Sequence, residues 1–122
     1  MESNDGDART LSPDTVFELL AEQRRRLLLY ALFQHSNPMT LPTIADCVTE
    51  WESCVPADAV PKERLRIYMS LYHAHVPKLE TAGVVAYSQP EDMVELNEAA
   101  TALEPHLKRA AERDLAPSNR EG

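Results

Sequence analysis

The stretch MSLYHAHVPKLETAGVVAY, residues 69–87, decides how the chain folds. Leu65, Tyr68, Met69, Tyr72, Val76 and Leu79 recur at steps of three and four, with a single step of one, which is one face of a helix. Pro77 lies inside this run. It has no amide hydrogen to give the carbonyl of His73, so the helix is expected to kink or divide there. Gly83 follows Leu79-Glu80-Thr81-Ala82 and is placed to end the helix in a left-handed backbone. Val84 to Ser88 and Met93 to Leu96 then read as two strands around Gln89-Pro90-Glu91-Asp92, a turn rich in breakers. The order is helix, glycine stop, β-hairpin.

Working outward, Ser12-Pro13-Asp14 opens a first helix, with serine as cap, proline at the first helical position and an acid in the first turn. Its apolar positions run to about Phe33, with an irregularity near Glu22, and Asn37-Pro38 ends it. Met39 and Thr40 suit a short strand. Thr40 to Glu52 reads as a second helix with Leu41, Ile44, Ala45, Val48 and Trp51 on one face. Residues 53–60 form a linker, longer than the tight turn of a minimal helix-turn-helix. Pro61 begins the helix that carries the opening stretch. A last helix is expected over Glu98 to Asp114, capped by Asn97 and bent near Pro105. Its apolar stripe is Leu96, Ala99, Ala100, Leu103, Leu107, Ala110 and Ala111. Such a stripe needs a cover, either the chain's own first helix or a second subunit. Small regulators commonly read paired half-sites, which favours the second subunit.

The whole is a mainly α domain with a small β-hairpin, in the order helix-helix-helix-wing-helix of a winged helix-turn-helix. The domain covers 12–97, the helix at 98–114 reads as a dimerisation element, and disordered tails are expected at 1–11 and 115–122. A chain of 122 residues suits one such core. It contains no uninterrupted apolar run of membrane-spanning length. MESNDGDART lacks the basic start and apolar run of a secretory signal, so a cytoplasmic location is expected. Cys47 and Cys54 read as reduced thiols, and no metal or cofactor is expected.

The net charge is −8, and it is unevenly spread. Residues 62–78 carry +3, from Lys62, Arg64, Arg66 and Lys78 against Glu63. Residues 79–104 carry −6, from Glu80, Glu91, Asp92, Glu95, Glu98 and Glu104. A DNA binder needs positive charge where it meets phosphate, not a positive total. The acidic remainder and the scarcity of lysine beside many Arg, Asp and Glu suit a halophilic source.

HVPKLETAGVV (75–85) is similar to the HLxxLexaGLV pattern of winged-helix bacterial and archaeal regulators, including the arsenical-repressor-like group. RRRLLLYAL (24–32), TIADCVTEWE (43–52) and SLYHAHVPKLETAGVVAY (70–87) together resemble an uncharacterised haloarchaeal winged-helix family. The resemblance covers about residues 12–97 and implies a winged-helix fold and a DNA-binding role. Arsenical-repressor relatives often sense metals through cysteines in the recognition helix; this chain has none there, so that part of the likeness fails.

On this reading the chain is a homodimeric transcriptional regulator that inserts the helix at 62–76 into the major groove of double-stranded DNA. Lys62, Arg64, Arg66, Ser70, His73, Ala74 and Lys78 are the candidate DNA-binding residues. Arg and Lys meet guanine edges or phosphates, serine bonds either, and a small residue such as Ala74 permits close approach. Arg24, Arg25 and Arg26 are a weaker candidate for phosphate, since a triple arginine more often pairs with acids such as Glu18 and Glu22. Glu91, Asp92 and Glu95 in the hairpin would repel phosphate. The competing reading is a protein-interaction module that uses this acidic hairpin and the last helix. His73 and His75 do not share a helix face and do not form a joint metal site. Trp51 and Tyr68 read as core residues. No catalytic arrangement is present in the pattern.

Overall fold

The structure, a computed structural model, describes residues 11–116. Its elements are α1 (Pro13–Leu20), α2 (Gln23–Gln34), β1 (Met39–Thr40), α3 (Leu41–Ser53), α4 (Pro61–Ser70), α5 (Val76–Thr81), β2 (Val85–Ser88), β3 (Met93–Leu96) and α6 (Glu104–Asp114). Short 3₁₀ turns occupy Ala57–Ala59 and Glu98–Ala102, and a π-helical turn, Leu71–His75, joins α4 to α5. The fold is thus mainly helical with a small antiparallel sheet of order β1-β3-β2. Most of the tails expected at 1–11 and 115–122 lie outside the described residues; Leu11 and Leu115 pack against the core.

The first helix divides into two. The Oγ of Ser12 caps α1 by accepting the amide of Thr15 at 3.1 Å. The last carbonyls of α1 are then taken by side chains of α2. Arg25 donates to the carbonyls of Leu19 (2.6 Å) and Glu18 (2.9 Å), and Arg26 to that of Leu20 (2.6 Å). In an unbroken helix these carbonyls would accept amides one turn on. The guanidiniums replace those amides, and the chain turns at Ala21-Glu22 without glycine or proline.

Helix α2 is the centre of the core. Leu27, Leu28, Leu29, Tyr30, Ala31 and Leu32 are all buried, as in a helix apolar on every side. Ile44, Ala45 and Val48 of α3 and Val76, Leu79, Val84 and Val94 complete the same cluster.

Gly83 adopts φ 81°, the left-handed stop expected of it. Its amide donates to Glu80 and that of Val84 to Leu79, both at 2.9 Å, which satisfies the carbonyls at the end of α5. The chain then enters the hairpin, registered Val85 to Leu96 and Ser88 to Met93. Met39 of β1 pairs with Val94 on the other edge of β3.

Two expectations change. Pro77 does divide its helix, but through the π turn upstream, where Val76 donates to Leu71 rather than to Tyr72. The extra residue in that turn rotates the core face. Ile67, Leu71 and His75 point inward, whereas Leu65 and Met69, expected in the core, are 58% and 43% exposed. The last helix also divides: a 3₁₀ turn precedes α6, and Pro105 takes the first turn of α6, where its missing amide costs no hydrogen bond. The stripe led by Leu103 and Leu107 is buried against the same chain, with α6 packed on α2. No helix among the described residues is long and apolar enough to cross a membrane.

Candidate nucleic-acid interface

Helix α4 starts at Pro61 and is held from below by Ile67, leaving its opposite side in solvent. Lys62, Arg66, His73 and Ala74 are exposed and Ser70 is half-buried, so these five candidates share the outward side. Among the described residues Arg66 pairs with its neighbour Glu63, at 3.3 Å and well exposed, a contact of little energetic weight.

Arg64 and Lys78 are used elsewhere. Arg64 turns toward α3, donating to Asp46 at 2.6 Å and to the carbonyl of Pro42 at 3.0 Å. Lys78 reaches α1 and pairs with Glu18 at 2.7 Å. That hydrogen bond, with the ammonium charge, lowers the Glu18 pKa. Of the four cations that make residues 62–78 basic, two therefore join helices together and two face outward.

The arginine triplet is also structural. Arg24 grips Glu52 with two 2.7 Å bonds. Arg25 and Arg26 close α1, and Arg26 also holds Asp114 at 2.7 Å. The expected acid partners, Glu18 and Glu22, are replaced by Glu52, Asp114 and main-chain carbonyls. The reason is the break at Ala21, which swings α1 back over these side chains.

The hairpin is fastened to α4 by Asp92, with φ 51°, a left-handed backbone that aspartate tolerates. Its carbonyl accepts the amide of Leu41 at 2.7 Å, which helps to satisfy the start of α3. Its carboxylate accepts the hydroxyls of Tyr68 (2.7 Å) and Tyr87. The bond to this carboxylate raises the pKa of Tyr68. Tyr72 stacks on Tyr68 with centroids 6.3 Å apart and meets Tyr87 edge-on at 6.0 Å. Asp92 thus faces inward, leaving Glu91 and Glu95 as the exposed acids of the hairpin. The sequence carries no signal for this role, because it depends on tyrosines 24 and 5 residues away.

Behind α4, Nη1 of Arg25 lies 3.2 Å from Nδ1 of His75. A guanidinium only donates, so Nδ1 accepts and the imidazole is neutral. Burial, followed by the Arg25 charge, pushes the His75 pKa below its ordinary 6.5. Arg24 adds to this, while Glu22 and Glu52 oppose it. The unfolded chain therefore binds a proton that the fold rejects, and stability rises with pH through this window. The contribution is complete above about pH 6.5 and is lost as pH falls through that value toward the lower folded pKa. Thermal melts from pH 7.5 to pH 5 should show this loss, and His75→Gln should flatten it.

Trp51 is half-buried, edge-on to Tyr30 at 6.4 Å, a packing role. Among the described residues no group of His, Cys, Asp and Glu is arranged to hold a metal ion.

A family model described as a domain of unknown function (DUF7344) matches residues 17–95, a span from within α1 to β3. No curated protein and no solved structure matches the chain.

Proposed function

The chain belongs to the DUF7344 family, and we propose that it is a winged helix-turn-helix DNA-binding protein, a transcriptional regulator that lays the outward side of α4 in the major groove. The observation that carries this reading is the exposed row of Lys62, Arg66 and His73 on a helix that follows α3 and leads, through Gly83, into the hairpin. A single convex helix face of this kind fits the width of the major groove. The hairpin, as the wing, braces α4 through Asp92 and stays clear of phosphate.

The reading includes a homodimer on duplex DNA, with two α4 helices roughly 34 Å apart to meet successive major grooves. Because α2 covers the stripe of α6, the dimer contact must come from elsewhere. Phe17, exposed on α1, is the candidate. An acidic, lysine-poor surface also suits molar salt, where charge acts over only about 3 Å.

The two outward cations on α4 of each subunit, Lys62 and Arg66, set a shallow salt dependence for a grip made by this helix. With about 0.9 counterions released per phosphate contact, log affinity for a single half-site should fall with a slope of about −2. That is on the order of tenfold between 50 and 200 mM salt, against roughly 10³–10⁵ for a protein with 6–10 such contacts. Fluorescence titration of half-site and full-site duplexes measures the slope and counts chains per duplex. A steep slope would mean that cations outside α4 do the binding. Absence of duplex binding at low and at molar salt would instead favour the protein-interaction reading, with Glu91 and Glu95 of the hairpin as its contact.

A further inference from the structure

We infer that Leu65 and Met69 read thymine, so that the DNA recognised by α4 presents thymine 5-methyl groups to these two side chains. This rests on the proposal that α4 enters the groove. Scattered exposed apolar residues need no explanation. These two are four residues apart and therefore neighbours on one helix face. They alternate with polar groups there: Lys62, Leu65, Arg66, Met69 and His73 follow at steps of three, one, three and four. Leu65 and Met69 stand 58% and 43% exposed, although the π turn leaves Ile67 and Leu71 to fill the core beneath.

The occupant follows from the chemistry of the face. Its cations suit a polyanion, and the methyl of thymine is the apolar group that base pairs offer in the major groove. A guanine or cytosine edge set against Leu65 or Met69 would lose water from O6 or N4 without a replacement bond, a penalty that selects against it. A second copy packed on this face about a two-fold axis would gather the Lys62 and Arg66 of both copies in one interface, where like charges oppose the contact. With two outward cations for phosphate, the apolar pair also carries a larger share of the binding, and molar salt does not screen that share.

The test uses the full chain and duplexes enriched from a random pool, each made with thymine and again with deoxyuridine, which lacks only the methyl. Burial of a methyl-sized group corresponds to about fourfold in affinity, so the deoxyuridine duplex should bind about fourfold more weakly for each thymine contacted. Leu65→Gln with Met69→Gln should bind both forms equally. Lys62→Ala should weaken both by the same factor and preserve the difference. Sequence-specific binding that is equal for the two forms would overturn this inference and leave the DNA reading standing; so would discrimination that survives the double glutamine variant. Failure to enrich any sequence would overturn the DNA reading itself. If the double glutamine variant became monomeric where the parent is a dimer without DNA, the face would be a self-interface and the inference would fall.

Discussion

Lys62→Ala with Arg66→Ala is expected to weaken binding to an enriched duplex by about a hundredfold or more, with little change in melting temperature. A hydrogen bond involving a charged side chain contributes about 1.5–3 kcal/mol, and two are removed. Both side chains are exposed, and among the described residues the ion pair lost is the solvent-facing contact of Arg66 with Glu63. Pairs of that kind contribute about 0–1 kcal/mol. The informative comparison is Arg64→Ala with Lys78→Ala. It removes the same formal charge from the same basic segment, but from side chains held by Asp46 and Glu18. Affinity should change only severalfold there, and stability should move instead. Anisotropy titration and thermal melts of the two double variants separate the outcomes. Equal losses of affinity would mean that the net charge of residues 62–78 matters and the arrangement on α4 does not.

The second large effect lies far from that face. Asp114→Ala should destabilise the domain by about 3 kcal/mol, the scale found when one partner of a buried ion pair is removed. The Asp114 side chain is 8% exposed and that of Arg26 20%. Asp114 accepts from Arg26, from Tyr30 and from Gln23. Its loss frees the end of α6 and leaves a guanidinium half-stranded against α2. For a domain of this size the melting temperature should fall by roughly 10–20 °C. Burial opposes ionisation of Asp114, but the hydrogen bonds from Arg26, Tyr30 and Gln23 outweigh it and hold its pKa below the ordinary 3.8. The group therefore contributes fully above about pH 4 and loses its contribution as pH falls further toward the depressed folded pKa. Thermal melts of parent and variant at pH 7 and below pH 3 should converge at the acid end.

What the amino-acid sequence reveals divides along a physical line. Ser12, Pro61 and Gly83 act on their own backbone, and each stop or start is legible from its residue and immediate neighbours; Pro105, expected to bend a continuous last helix, instead sits in the first turn of α6. The hairpin and its four-residue turn are legible for the same reason. The break between α1 and α2 is not, because it is made by guanidiniums reaching back over six and seven residues to carbonyls. The core face of α4 is misjudged because apolar residues line two sides of residues 65–79, and the π turn chooses between them. At the candidate interface, helical spacing suffices to turn Lys62, Arg66, His73 and Ala74 outward. It does not reveal that Arg64 and Lys78 are tied to partners 18 and 60 residues away, nor that Asp92 braces the hairpin. Both depend on how the helices pack.

The central claim is that the outward face of α4 reads duplex DNA by sequence. Its most direct test is to enrich duplexes from a random pool on the full chain, then titrate the winning sequence and a scrambled copy at about 0.1 M and at molar salt. The account predicts that the winner binds at least about 10³-fold more tightly than the scramble, the lower bound usual for specific recognition, and that the preference persists at molar salt. Equal affinity for winner and scramble under both conditions would contradict it.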